Sequence, residues 1–298
     1  MVSRSKRCGL DLSSNGGSYV SQSPLQTNSA PVRQRTRLSM TSDIHAPLSE
    51  DQNHVNPDDL DEIDSLFFDS EGSGADTSLA SRSSRVVALV SPKGGTGKTS
   101  VAVMLAGYLT TRRRQAGLMD LDPRHGVDRW SRAGDGLPFP IYRFDTNRGA
   151  AAFRHAIRHA ITEVDVLVLD TPSAMGPGIR LAAEVADLVL VPAGASELDL
   201  HAAEEAIEAA NASRHGREGS LPRVMVVPSR QDGRTRLAKD FAYRFKGLKT
   251  PVAPAVGQRV EVAAAANSGR LVRPGTIAGQ EFRRLARHVW TFLRRLDA

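Results

Sequence analysis

The chain has 298 residues, 40% of them hydrophobic, enough for one medium-sized domain with its own core and a further segment beside it. Its single cysteine, Cys8, excludes a disulfide framework and a cysteine-rich metal or iron–sulfur site, which points to a reducing cytoplasm. The net charge of +6 conceals three unlike segments: residues 1–42 sum to +5, 43–84 to −10 and 85–298 to +11. No apolar run approaches the roughly 20 residues of a membrane helix. Arg4, Lys6 and Arg7 have no apolar stretch after them, so neither a secretory signal nor a membrane role is expected.

Residues 1–84 are rich in Ser, Asn, Gln, Asp and Gly, with few aromatics and no sustained period. Such a stretch buries too little apolar area to offset its ordering entropy, so a disordered tail, basic then acidic, is expected. Within it, residues 58–69 place Leu60, Ile63, Leu66 and Phe67 at helical spacing in an acidic run. That suits either a short helix folding on a basic surface or a solvated acidic linker.

The expected domain spans residues 85–298. Residues 86–90 form a compact β-branched run that ends in Ser91-Pro92 and reads as a buried strand. After a Gly-rich turn, residues 99–114 read as a helix with an apolar stripe at Val101, Leu105, Tyr108 and Leu109. Further strands are expected at 116–121, 164–169, 188–191 (ended by Pro192) and 223–227 (ended by Pro228). Residues 196–213 read as a helix. Ser196 is its N-cap, and Asp199 at the third helical position completes a box-like cap with a structural role. Residues 280–296 read as a helix with a seam of Phe282, Leu285, Val289, Phe292 and Leu296. Short buried strands alternating with helices predict an α/β fold: a mostly parallel sheet flanked by helices on both faces.

The chemistry sits in the turn at residues 93–100, Lys93-Gly94-Gly95-Thr96-Gly97-Lys98-Thr99-Ser100. Between a strand and a helix, glycines let successive N–H groups turn inward around phosphates, and the helix N-terminus adds its positive end. Lys98 would reach the β- and γ-phosphates, and the Thr99 hydroxyl would ligate Mg²⁺. The general phosphate-loop pattern has a glycine six residues before its lysine, where this chain has Pro92.

Lys-Gly-Gly-x-Gly-Lys-Thr resembles the deviant Walker A loop of the ParA/MinD ATPases. The resemblance extends over residues 85–298 and is closer to the short partition ATPases than to the cell-division branch. It implies that Lys93 crosses an ATP-sandwiched homodimer to the partner's phosphates, as an arginine finger does. Asp120-Leu121-Asp122-Pro123 and Trp130 look like the Asp-x-Asp-Pro…Trp pattern of short ParA proteins. There Asp122 stands for the carboxylate that orients attacking water near Mg²⁺. Arg124 departs from the glutamine frequent in that position, which leaves the local switch chemistry open. Residues 166–172 resemble a Walker B strand that delivers Asp170 beside the phosphate loop, where it would hold a water on Mg²⁺. Residues 171–178 then look like a switch loop, with Gly176 and Gly178 giving it freedom to move. Ser229 and Arg230 fall where the family often contacts adenine.

Taken singly, each residue has a plainer reading: Lys93 a surface lysine, Asp120 and Asp122 a turn cap, Asp170 the end of a buried strand. The resemblance implies the cofactors ATP and Mg²⁺, catalytic roles for Lys93, Lys98 and Asp122, and metal roles for Thr99, Asp122 and Asp170. It also implies non-specific DNA binding in the ATP state, a ParB-like or other adaptor that stimulates hydrolysis, and a cytoplasmic, nucleoid-associated protein serving plasmid or chromosome partition. Arg283, Arg287 and Arg294 share a face of the last helix beside Arg284 and Arg295, and a second basic run holds Arg230, Arg234, Arg236, Lys239, Arg244, Lys246 and Lys249. Such arginines would contact DNA phosphates, or serve as solvated helix faces. Two alternatives stand: a positioning ATPase for a non-DNA protein cargo, and a metabolic or metal-cluster ATPase. The lone Cys8 argues against a cluster carrier.

Overall fold

In the computed structural model, residues 84–213, 221–246 and 250–296 are described. The tail and its acidic residues 58–69 lie outside them, as do the side chains of Arg244 and Lys246 and all of Lys249. Seven strands form one sheet: β1 (Arg85–Leu89), β2 (Ala116–Asp120), β3 (Ile141–Arg143), β4 (Val166–Asp170), β5 (Leu188–Ala193), β6 (Arg223–Gln231) and β7 (Val256–Gly257). The order is β3-β2-β4-β1-β5-β6-β7, and every strand pairing is parallel. The expected α/β architecture of a phosphate-loop NTPase is the one observed.

Strands buried on both faces need apolar residues at every position, and β1, β4 and β5 supply them as near-continuous Val/Leu runs. Successive side chains then enter different cores. Val87, Leu89, Val166, Val168, Leu188 and Leu190 join one cluster, with helices α1 (Lys98–Leu109) and the long C-terminal α9 (Ile277–Arg294). Val86, Ala88, Leu167, Leu169, Val189 and Val191 join the other, under α3 (Ala150–Glu163), α4 (Pro177–Val185) and α5 (Glu197–Ala212). The remaining short helices are α2 (Gly126–Arg132), α6 (Arg236–Lys239), α7 (Phe241–Lys246) and α8 (Val260–Asn267).

Four expectations are corrected by packing. Helix α1 stops at Leu109 rather than continuing to 114. Thr110 turns extended, its hydroxyl donating to the Ala106 carbonyl at 3.0 Å and accepting the Ala116 N–H at 3.3 Å. Nor does α1 show one stripe: Val101 through Leu109 are all buried, because α9 covers the side turned away from the sheet. Neither proline ends its strand. The Leu190 carbonyl accepts from Val90, the residue just past β1, so Pro192, two residues on, turns its missing donor toward the side that β1 has already left. Val226 bonds toward the Pro251–Ala253 segment, so Pro228 likewise faces a gap before β7 begins to pair. On α9 the buried seam is Phe282, Leu285, Ala286, Val289 and Leu293, and Phe292 and Leu296 are only partly buried.

Close approach explains two glycines. A Cβ on Gly107 would come within 2.3 Å of the Leu271 side chain, and one on Gly279 within 2.0 Å of the Arg273 carbonyl. Both lie where the 268–276 segment passes between α1 and α9. Trp130 donates from Nε1 to the Arg270 carbonyl at 3.0 Å and Tyr108 to the Val272 carbonyl at 2.7 Å, which ties this segment down.

Candidate nucleotide-binding site

The carboxyl ends of β1, β2, β4, β5 and β6 converge on the 93–100 loop, at the point where the chain switches from one side of β1 to the other. Open parallel sheets bind ligands in that crevice. Gly95 (φ 78°) and Gly97 (φ 89°) adopt left-handed conformations that a side chain would strain, and Gly97 is the N-cap of α1. A Cβ on Gly97 would also meet Ser229 Oγ at 2.8 Å.

Lys98 is 5% exposed. Its Nζ donates to the Lys93 carbonyl at 3.2 Å and to Ser173 Oγ at 3.0 Å, so the segment after β4 touches the second lysine of the glycine loop directly. Burial holds the Lys98 pKa below the ordinary lysine value, against the negative charges of Asp170 and Asp122. Lys93 turns the other way. Its Nζ contacts Asp199 Oδ1 at 2.5 Å, and Asp199 Oδ2 accepts the Ser196 hydroxyl at 2.5 Å. Burial works to raise the Asp199 pKa, but hydrogen bonds from Lys93 and Ser196 outweigh it and hold the carboxyl below its usual range. The Ser196 cap is present, with Oγ accepting the Asp199 N–H at 3.2 Å. Asp199 is nonetheless more than a cap, because it holds the loop's first lysine.

Asp120 and Asp170 are register partners at the ends of β2 and β4. Asp120 is buried and accepts the N–H groups of Asp122 (3.0 Å) and Val127 (3.3 Å), while burial raises its pKa. Asp170 is completely buried, and its carboxylate oxygens lack well-formed hydrogen bonds, with the Thr99 hydroxyl the nearest donor. Burial pushes its pKa up to about 7. The nearby Thr99 hydroxyl and the Lys98 charge oppose the rise, and Asp120 and Asp122 add to it. A buried carboxylate so poorly supplied with donors is costly unless a cation or ordered water completes it. The hard oxygens of Thr99, Asp122 and Asp170 suit a magnesium ion carrying several waters and phosphate oxygens. Among the described residues no group of three or more His, Cys, Asp or Glu side chains has the arrangement of a self-sufficient metal cage.

Ser229 is buried beside the loop. Arg230 has φ 54° at an irregularity in the β6–β7 register, and such a bulge re-aims a side chain. Its guanidinium reaches over the loop and donates to the Gly95 carbonyl. The α9 arginines are not part of this site. Arg284, Arg287, Arg294 and Arg295 are exposed, while Arg283 is half-buried and donates to the Pro274 carbonyl at 2.9 Å. Sequence reasoning placed Ser173 within a switch loop without foreseeing its contact with Lys98, and missed Asp120 and Asp199 as site residues. The Ser196-x-x-Asp199 cap and the Asp120-x-Asp122 pair were visible signals, but their partners were not.

The profile of the CbiA family, described as the CobQ/CobB/MinD/ParA nucleotide binding domain, matches residues 87–272, more than half of the chain. The chain belongs to this family. Among curated members, this CobQ/CobB/MinD/ParA protein is 26% identical over 237 residues to the chromosome-partitioning ATPase Soj of Thermus thermophilus, spanning 69% of this chain and 95% of Soj. It is also 26% identical over 179 residues to the maintenance of carboxysome distribution protein A of Halothiobacillus neapolitanus, spanning 58% of this chain and 79% of the relative. In fold it is similar to the MinD cell division protein of Aquifex aeolicus, with a TM-score of 0.58 and 15% identity over 70% of this chain and 98% of MinD. A variant of McdA from Cyanothece in complex with ATP superimposes with a TM-score of 0.56 and 17% identity, over 71% of this chain and 97% of that one. Among the described residues, no helix is long and apolar enough to cross a membrane.

Proposed function

We propose that residues 85–298 form a magnesium-dependent ATPase that acts as a dimerising switch, binds DNA without sequence preference in its ATP state, and moves a plasmid or chromosome. The observation that carries the nucleotide reading is the buried Asp170 carboxylate at the end of β4, which has only Thr99 and Lys98 to offset its burial beside the strand–glycine loop–helix unit. Gly94, Gly95, Thr96 and Gly97 offer backbone N–H groups to the phosphates, with Ser100 behind them on α1. Lys98 exchanges Ser173 and the Lys93 carbonyl for phosphate oxygens. Thr99, Asp122 and Asp170 hold the metal, which supplies neutralisation of the triphosphate charge. Asp122 orients the attacking water, and Ser229 and Arg230 border the nucleoside.

Lys93 is the cation lent to a second copy, and it must first leave Asp199. Exposed Leu198, in the first turn of α5, and exposed Met175, after β4, provide apolar contact area for that copy. Arg284, Arg287, Arg294 and Arg295 supply phosphate contacts, with Arg283 partly committed to its own fold. An adaptor in the manner of ParB stimulates hydrolysis and names the cargo, and the protein works in the cytoplasm on the nucleoid.

A second reading, a protein assembly as cargo, is supported by the similarity to a carboxysome distribution protein. Both readings share the nucleotide site and differ only in what the adaptor carries.

The test is Mg²⁺-dependent ATP hydrolysis and ATP-dependent DNA co-sedimentation by wild type and the variants Lys93→Ala, Lys98→Ala and Asp122→Ala. Lys98→Ala is expected to lose nucleotide, Lys93→Ala to lose ATP-dependent association, and Asp122→Ala to persist on DNA with ATP unhydrolysed. Wild-type behaviour in all three variants would remove the site assignment.

A further inference from the structure

The Asp122 carboxylate is already occupied by a single residue. Its Oδ1 accepts the Arg124 backbone N–H at 2.9 Å and Arg124 Nε at 3.2 Å, and its Oδ2 accepts Arg124 Nη2 at 3.2 Å. A carboxylate offers about four lone-pair sites, so one residue takes most of them. The two-pronged contact also fixes the plane of the carboxylate, as a paired guanidinium does. Beneath it the Asp122 N–H is anchored to Asp120 Oδ1 at 3.0 Å, at the buried end of β2. Asp122 therefore keeps this one orientation while Arg124 holds it.

The same short turn recurs at Asp232 and Arg234, with the same three donors. There the carboxylate side chain is 48% exposed, whereas that of Asp122 is 12% exposed. The turn is thus a local preference of an Asp followed two residues later by Arg. What gives it consequence at Asp122 is its place beside Lys98, Thr99 and Asp170. The Arg124 charge is felt at Lys98, and that of Asp170 at Arg124, so the guanidinium lies within electrostatic range of the phosphate loop. Its own side chain is 65% exposed, so it can leave Asp122 without disturbing the core.

We propose that Arg124 is a positioning residue that acts as a brake: it holds the Asp122 carboxylate out of line for water activation and keeps basal hydrolysis slow. The inference rests on the reading of Asp122 as the water-orienting carboxylate.

The experiment is steady-state Mg·ATP hydrolysis by the full chain and its Arg124→Gln, Arg124→Ala, Arg124→Lys, Asp122→Ala and Arg124→Ala/Asp122→Ala variants. The expected result for Arg124→Gln and Arg124→Ala is a kcat raised about threefold or more with KM for ATP little changed. Arg124→Lys, which keeps the charge but not the fork, falls between these and wild type. The double variant is as inactive as Asp122→Ala, because Arg124 works only through that carboxylate. A kcat at or below wild type in Arg124→Ala overturns the proposal, as does a raised KM with unchanged ADP affinity, the mark of direct phosphate contact. If neither wild type nor the Arg124 variants hydrolyse ATP, or Asp122→Ala stays active, the reading of Asp122 itself falls. If only the Arg124 variants fail to speed up, Asp122 stands and the brake falls.

Discussion

The Lys93 ammonium and the Asp199 carboxylate, 106 residues apart in the chain, meet at 2.5 Å and join the phosphate loop to the first turn of α5. Their side chains are 36% and 18% exposed, a partly wet pair. A pair of this kind is worth up to about 1 kcal/mol, so its removal shifts a coupled equilibrium by up to about fivefold. Lys93 cannot serve a neighbouring molecule while it holds Asp199. Asp199→Ala should therefore lower the ATP concentration that drives self-association, read by light scattering or gel filtration. Association that needs the same or more ATP would show that the pair does not compete with dimer formation.

Asp170 makes a prediction about stability and function in opposite directions. Its folded pKa lies near 7 and its ordinary value is 3.8, so between those limits the folded chain keeps a proton that the unfolded chain has lost. Folding stability in the absence of nucleotide and Mg²⁺ should then fall as pH rises from about 4 to about 7 on account of this group. Asp170→Asn removes that contribution, so its melting temperature should exceed that of wild type by a margin that grows across the same window. The same variant should lose Mg²⁺-dependent hydrolysis. A wild-type and a variant melting curve that shift in parallel with pH would contradict the assignment.

Gly279→Ala tests the clasp between α1 and α9. The added Cβ would lie 2.0 Å from the Arg273 carbonyl, a backbone atom that cannot swing aside. Overpacking of this kind costs about 1–3 kcal/mol, which lowers the melting temperature by several degrees in a domain of this size. Unchanged melting would mean that the 268–276 segment yields easily.

The α9 arginines predict a salt dependence. Substituting Arg284, Arg294 and Arg295 together by Ala should weaken ATP-dependent DNA binding on any sequence. The slope of log affinity against log salt should become shallower by about one for each DNA phosphate that the removed arginines had neutralised. Arg283→Ala, whose guanidinium is engaged with the Pro274 carbonyl, should affect stability more than DNA. An unchanged slope in the triple variant would move the DNA surface elsewhere.

The parts of this protein that could be read from sequence are those whose cause is local. A Val/Leu run followed by glycines and Lys98-Thr99 specifies a strand, a turn and a helix within about twenty residues, and the Asp170 strand is equally self-contained. The contacts that set the resting state of the site are remote: Lys98 to Ser173, Arg230 to Gly95 and Lys93 to Asp199 join residues 75, 135 and 106 positions apart. No periodicity encodes them. Pro192 and Pro228 misled for a related reason. A proline breaks a ladder only if its nitrogen faces a partner strand, and which side lacks one is decided by the whole sheet. Leu293 replaced Phe292 in the α9 seam because the facing surface of α1, not the helix's own apolar spacing, selects what is buried.

Helix α1 has consequences beyond its packing. Walled in from Val101 to Leu109, it has no wet side and so no easy path along which to slide or tilt. The floor of the proposed phosphate seat is part of the bedrock of the domain and is expected to hold nearly the same shape whether empty or filled. Whatever distinguishes one nucleotide state from another has to be written at its margins, in Lys93, Arg124, Ser173 and Arg230, each of which can be unfastened without lifting the floor.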